Sequence, residues 1–76
     1  MIKPVKTPKS LGAIVREARQ AQNLTQTELA GASGTGLRFI SDLENGKPTC
    51  QLGKALHVLA MLGITMTAGA PEESDG

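Results

Sequence analysis

The chain has few of the cysteine and aromatic residues that often stabilise small proteins. It has one cysteine, Cys50, and one aromatic residue, Phe39, and it has neither tryptophan nor tyrosine. A single cysteine cannot form an internal disulfide, and no cysteine and histidine cluster has the spacing of zinc ligands. These absences exclude a disulfide-stabilised scaffold and a zinc-stabilised module. They are compatible with a protein that works in a reducing cytoplasm.

Long apolar runs and catalytic patterns are missing too. No stretch reaches the roughly eighteen consecutive apolar residues of a membrane-spanning helix, and the three lysines of the first ten residues precede no apolar run. We therefore expect no membrane association and no export. Carboxylate pairs, metal-ligand clusters and nucleophile and base patterns are not visible, so an enzyme is disfavoured and no cofactor or metal is expected.

What is present suits one small domain. The 76 residues are 39% hydrophobic, which is enough for one core with a modest stability margin and makes oligomerisation attractive. The net charge of +1 is unevenly spread, because residues 1–24 are basic and residues 50–76 are acidic. This asymmetry suggests two surfaces with different roles.

Two helices are predicted in the first half. Apolar residues recur at three- and four-residue steps after Ser10, so Ser10 is expected to cap an amphipathic helix that ends at Asn23. Thr25 and Glu28 have the spacing of a capping box, which predicts a second helix from Gln26 to about Ser33.

Two further helices are predicted in the second half. Gly34 and Gly36 are expected to form a tight turn with positive φ before a third helix over Leu37 to Glu44. Thr49 is expected to cap a fourth helix from Cys50 to Leu62. The predicted inward stripe of that helix is Leu52, Ala55, Leu56, Leu59 and Leu62.

The end of the chain changes character. Ile64, Thr65, Met66 and Thr67 alternate apolar and polar residues, which predicts a strand that needs a partner from another chain. The predicted organisation is a flexible basic arm (1–9), an all-α domain (10–63), a dimerisation strand (64–68) and a disordered tail (69–76).

Residues 25–47 carry the functional pattern. Two short helices joined by a glycine turn can present the second one as a rod that fits the major groove of DNA. Arg38 is the expected base reader, since a guanidinium can pair with guanine O6 and N7, and Gln26 is expected at a phosphate near a helix N-terminus. The full set of predicted DNA contacts is Gln26, Thr35, Gly36, Leu37, Arg38, Ser41, Asn45 and Lys47.

These residues resemble the phage-repressor-type (XRE) helix-turn-helix domains. The matching residues are Arg19, Leu24-Thr25-Gln26, Glu28-Leu29-Ala30, Gly34, Ile40-Ser41 and Leu43-Glu44-Asn45-Gly46-Lys47. The resemblance implies a compact, lambda-repressor-like fold of four helices that binds double-stranded DNA. It also implies a structural ion pair between Arg19 and Glu44.

Two segments of the chain indicate a narrower group within this family. Residues 62–67 look like the end of HipB-like antitoxins, whose C-terminal strands pair across a dimer, and residues 38–47 are similar to Y4mF-type regulators. The resemblance implies a homodimeric autorepressor of a palindromic operator that neutralises a HipA-like serine/threonine kinase toxin. Two alternatives stay open: a stand-alone regulator without a toxin, and an interaction protein that has lost DNA binding.

Overall fold

The chain folds as four helices in the computed structural model, which describes residues 2–69. The helices are α1 (Pro8–Ala21), α2 (Gln26–Ser33), α3 (Leu37–Glu44) and α4 (Leu52–Met61). The prediction of an all-α helix-turn-helix fold is confirmed. Of the predicted tail, only Gly69 lies within the described residues.

Helix α1 starts earlier than predicted. Thr7 caps it: its hydroxyl accepts a hydrogen bond from the Ser10 backbone N–H at 3.0 Å, and the Ser10 hydroxyl accepts one from the Thr7 N–H at 3.1 Å. Pro8 takes the first helical position, where its fixed φ suits the helix and its missing N–H costs nothing. The prediction of Ser10 as the cap was wrong, because Ser10 is the third residue of this reciprocal capping box. Lys9, which the sequence assigned to the arm, therefore lies in the first turn of α1.

The turn between α2 and α3 follows the prediction at one glycine and departs from it at the other. The capping box of Thr25 and Glu28 forms as expected, with donor–acceptor distances of 3.0 and 2.8 Å. Gly34 ends α2 at a φ of 69°, in the left-handed region. Gly36 has a φ of −84° and a ψ of 156°, so the prediction of positive φ there was wrong. The reason is that Gly36 is the N-cap of α3, and N-cap residues adopt extended backbone.

Helix α4 is shorter than predicted. It begins at Leu52, and its N-cap residue is Gln51, which makes no side-chain capping bond; Thr49 lies in a turn with Pro48 before the helix. The prediction of Thr49 as the cap was therefore wrong. Gly63 follows the C-cap of the helix with a φ of 75°, and the Ile64 N–H donates to the carbonyl of Leu59 at 2.9 Å.

The core lies where the four helices meet. Its buried apolar residues are Val15, Leu29, Ala30, Ile40, Leu43, Ala55, Val58, Leu59 and Leu62. The predicted stripe of α4 was wrong at Leu52 and Leu56, which are 69% and 46% exposed, and it omitted the fully buried Val58. The residues of α4 that pack into the core follow Ala55 at steps of three and four residues. Leu52 and Leu56 therefore lie on one flank of the helix.

Helix α1 approaches the end of α3 closely. A Cβ at Gly12 would stand 2.6 Å from the carbonyl oxygen of Glu44 and would also collide with the carbonyl of Leu43. The absence of a side chain at residue 12 therefore sets how near α1 can come to the end of α3.

Residues 64–69 form no regular secondary structure, and the described part of the chain contains no strand. Ile64 is half-buried against the core, whereas Thr65, Met66 and Thr67 are exposed. The predicted strand depends on a second chain, so a single chain does not test it. None of the described helices is both long enough and apolar enough to cross a membrane.

Candidate nucleic-acid interface

Helix α3 turns one face to the core and the other to solvent. Ile40 and Leu43 are buried, while Leu37 is 49% exposed and the side chain of Arg38 is 90% exposed. Ser41 lies between these faces, half-buried. The structure thus places the predicted base reader on open surface, in the first turn of α3.

Asp42 lies between the two cations of this surface. Its Oδ2 is 4.0 Å from Nε of Arg38 and 3.5 Å from Nζ of Lys47. Exposed pairs at such distances contribute about 0–1 kcal/mol, so both cations remain available to another anion.

The remaining residues predicted around α3 flank its two ends. Thr35 is half-buried, and its hydroxyl lies 3.0 Å from that of Ser33, so the turn itself engages this side chain. Gly36 is exposed. At the other end, the Asn45 amide donates to the Ser41 hydroxyl at a long 3.4 Å and is otherwise exposed.

Below this surface, Arg19 and Glu44 form a two-point ion pair. Arg19 Nε donates to Glu44 Oε2 at 2.6 Å, and Nη2 donates to Oε1 at 3.1 Å. The third nitrogen of Arg19, Nη1, donates to the carbonyl of Leu24 at 2.7 Å. The Glu44 side chain is fully buried and that of Arg19 is 11% exposed. This pair joins α1, the loop before α2 and the end of α3.

Two more donors reach the same carboxylate, and sequence reasoning assigned neither of them to it. The Gln26 amide donates to Glu44 Oε1 at 3.0 Å, and Arg16 Nε lies 3.5 Å from the same oxygen. The sequence did hold a signal for Arg16: it lies one helical turn before Arg19, so both side chains lie on the same side of α1. A glutamine amide has two N–H groups, so the bond to Glu44 uses only one of the two donors of Gln26.

The carboxylate is held in its charged form. Burial raises the pKa of Glu44, but the hydrogen bonds from Arg19 and Gln26, with the charge of Arg19, outweigh burial and bring that pKa below its usual value. The hydrogen bond to Glu44 in turn raises the pKa of Arg19. Both groups are therefore ionised at neutral pH, as a structural ion pair requires.

A polar groove of about 350 Å³ runs between α1 and the end of α3. Its lining residues are Lys9, Ala13, Arg16, Glu17, Glu44 and Asn45. Within residues 2–69, no three histidine, cysteine or carboxylate side chains come together as metal ligands. The surface instead presents hydrogen-bond donors and positive charge beside the exposed face of α3.

A family model described as "Helix-turn-helix" (HTH_3) matches residues 15–68. The chain belongs to this helix-turn-helix family of transcriptional regulators. It is 58% identical over 73 residues to the "Uncharacterized HTH-type transcriptional regulator y4mF" of Sinorhizobium fredii (strain NBRC 101917 / NGR234), covering 96% of each chain. It is 44% identical over 60 residues to the "ImmF control region 10 kDa protein" of Bacillus phage phi105, covering 76% of this chain and 67% of that one.

Solved structures give the same family. A chain in the HipA-HipB-O2-O3 complex superposes with a TM-score of 0.82 at 27% identity, covering 93% of this chain and all of that one. A chain in the HipB-O4 20mer complex does so with a TM-score of 0.81, at the same identity and coverage. The resemblance to XRE-type, Y4mF-type and HipB-like proteins is confirmed.

Proposed function

We propose that this regulator is a sequence-specific repressor that binds a palindromic DNA operator as a homodimer. The observation that carries the proposal is the exposed face of α3, where the Arg38 side chain is 90% exposed beside donors at both helix ends. A helix presented in this way fits the major groove, which is wide enough to admit it.

The side chains divide into base readers and phosphate contacts. Arg38 pairs with a guanine edge, Ser41 offers a hydroxyl, and Leu37 covers an apolar group such as a thymine methyl. Thr35 and Gly36 bring the backbone at the start of α3 close to the DNA. Gln26, Asn45 and Lys47 bind backbone phosphates, which fixes the position of the domain without reading sequence.

The proposed repressor is a dimer of two identical chains. Within the described residues, the backbone of residues 65–67 takes part in no hydrogen bond, and Leu52, Leu56 and Met66 remain exposed. Pairing of Ile64, Thr65, Met66 and Thr67 with their two-fold mates satisfies those backbones and covers apolar surface. The two α3 helices are then spaced about 34–36 Å apart, one turn of DNA.

The similarity to a chain in a HipA-HipB complex supports a narrower role. In that role the protein represses its own operon and acts as an antitoxin that neutralises a HipA-like serine/threonine kinase. The stand-alone regulator differs from it only in lacking the toxin, and the pure interaction protein differs in lacking DNA binding.

Fluorescence anisotropy with the DNA upstream of its own gene, against a shuffled duplex, tests the repressor. We expect tight binding to the upstream DNA that weakens steeply between about 50 and 200 mM salt. Absence of binding to either duplex contradicts the proposal and favours the interaction protein, whereas equal binding to the two contradicts the sequence specificity.

Co-purification with the product of the adjacent gene tests the antitoxin role. Capture of a kinase-like protein together with inhibition of its autophosphorylation is the expected result. Operator binding without a kinase partner identifies the stand-alone regulator instead.

A further inference from the structure

The charges around Glu44 do not balance. Glu44 carries one negative charge. The positive charge of Arg19, whose guanidinium donates to this carboxylate at 2.6 and 3.1 Å, already balances it. Gln26 adds a neutral donor at 3.0 Å. Arg16 is therefore a surplus cation, held only at 3.5 Å from an oxygen that already accepts two hydrogen bonds.

Arg16 differs from Arg19 in its exposure. The Arg16 side chain is 52% exposed, whereas that of Arg19 is 11% exposed. In the described part of the chain, no carboxylate other than Glu44 lies within ion-pair distance of Arg16. The neighbouring Glu17 is paired with Lys3. The positive charge of the cluster is thus presented to solvent at one guanidinium.

The position of Arg16 connects two proposed phosphate contacts. Arg16 and Gln26 approach the same Oε1 atom of Glu44, and Arg16 lines the polar groove together with Asn45 and Lys9. The donors of Gln26, Arg16 and Asn45 therefore form a continuous strip from the start of α2 to the end of α3.

We propose that Arg16 binds a phosphodiester of the DNA backbone, so that α1 contributes a contact to the DNA interface. The inference rests on the proposed repressor function and extends it to a helix outside the helix-turn-helix pair. A guanidinium has five N–H donors, so Arg16 can face Glu44 with one edge and phosphate oxygens with the other. The attraction to Glu44 limits the conformations of the Arg16 side chain, which reduces the side-chain entropy lost on binding.

The test compares the salt dependence of operator binding for the parent, Arg16→Met and Lys54→Met. Lys54 is an exposed cation on α4 that does not line the groove, and methionine has a helix propensity similar to those of arginine and lysine. Removal of one phosphate-binding cation lowers the slope of log K against log salt by about 0.9, or by about two for a dimer with two Arg16 residues. We expect that decrease for Arg16→Met and less than half of it for Lys54→Met.

Thermal unfolding and Arg16→Lys separate this role from a structural one. Glu44 keeps its bonds from Arg19 and Gln26, so Arg16→Met is expected to unfold near the parent temperature, and Arg16→Lys is expected to retain most of the slope. Equal slopes for Arg16→Met and Lys54→Met overturn the inference, as does a destabilised Arg16→Met with an unchanged slope. A parent without salt-dependent operator binding overturns the repressor function itself.

Discussion

Gly12 lies directly against the backbone of Glu44: a Cβ at residue 12 would stand 2.6 Å from the Glu44 carbonyl oxygen. We expect Gly12→Ala to destabilise the domain by about 1–3 kcal/mol, because the methyl group forces α1 away from α3. Gly31→Ala is the matched control, since Gly31 lies within α2 with nothing within 4 Å of its added Cβ. That change is expected to stabilise by roughly 0.5–1 kcal/mol, because alanine favours helix. Urea unfolding measures both, and a Gly12→Ala variant as stable as Gly31→Ala would show that α1 and α3 adapt freely.

Removal of the charge of Glu44 is expected to be costly. Glu44→Gln leaves Arg19 largely buried without its partner, which is expected to cost about 3–5 kcal/mol in the free energy of unfolding. Asp42→Asn is the control, because it breaks only exposed pairs and is expected to cost at most about 1 kcal/mol. Similar unfolding midpoints for the two variants would contradict the assignment of Arg19 and Glu44 as the main ionic tie between α1 and α3.

The same carboxylate predicts a pH dependence. Its hydrogen bonds to Arg19 and Gln26, opposed by burial, give Glu44 a folded-state pKa below its ordinary value of 4.5. Because the unfolded chain takes up the proton first, the stability from this group is present above about pH 4.5 and is lost as the pH falls through the folded-state pKa. The stability difference between the parent and Glu44→Gln should therefore shrink on acidification. Equilibrium unfolding of both proteins across this range checks it, and a constant difference would refute the ionised pair as its source.

Arg38 and Lys47 are expected to act differently on DNA. Arg38→Ala should weaken operator binding by about 1–3 kcal/mol per contacted base pair and relax specificity there. Lys47→Ala should weaken binding to all sequences and lower the salt slope, because a phosphate contact carries no sequence information. Anisotropy titrations on the operator and single-base variants separate the two patterns. Unchanged base preference in Arg38→Ala would place the base reader elsewhere.

The dimer is expected to depend on residues 64–67. Thr65→Pro removes an N–H donor and fixes φ, so it should block strand pairing if that N–H faces the partner. Leu56→Lys, on the exposed flank of α4, tests the alternative interface, and His57→Lys on the same helix controls for added charge. Light scattering decides among them: we expect monomers from Thr65→Pro and dimers from His57→Lys. Dimers from Thr65→Pro together with monomers from Leu56→Lys would move the interface to α4.

Local chemistry made most of the fold predictable. The capping box of Thr25 and Glu28 and the apolar spacing of α3 depend only on neighbouring residues, and α2 and α3 have the predicted bounds. The start of α1 was mispredicted because Thr7 and Ser10 both suit a cap, and the choice between them depends on Pro8.

The site was less predictable where it depends on tertiary contacts. The outward position of Arg38 follows from helical periodicity. The approach of Arg16 and Gln26 to Glu44 does not, since it requires α1 and α2 to pack against the end of α3. The need for glycine at residue 12 has the same origin, because a glycine inside a helical pattern signals close packing without naming the partner.

Gly46 places an evolutionary restriction on the loop that follows α3. Its φ of 78° alone would admit asparagine, the usual substitute for glycine in left-handed positions. A Cβ at residue 46 would, however, stand 2.7 Å from the Cα of Lys9, in the first turn of α1. A substitution that is conservative for the turn is therefore not conservative for the domain. Drift at this position among descendants of the gene is expected only where the start of α1 has shifted with it.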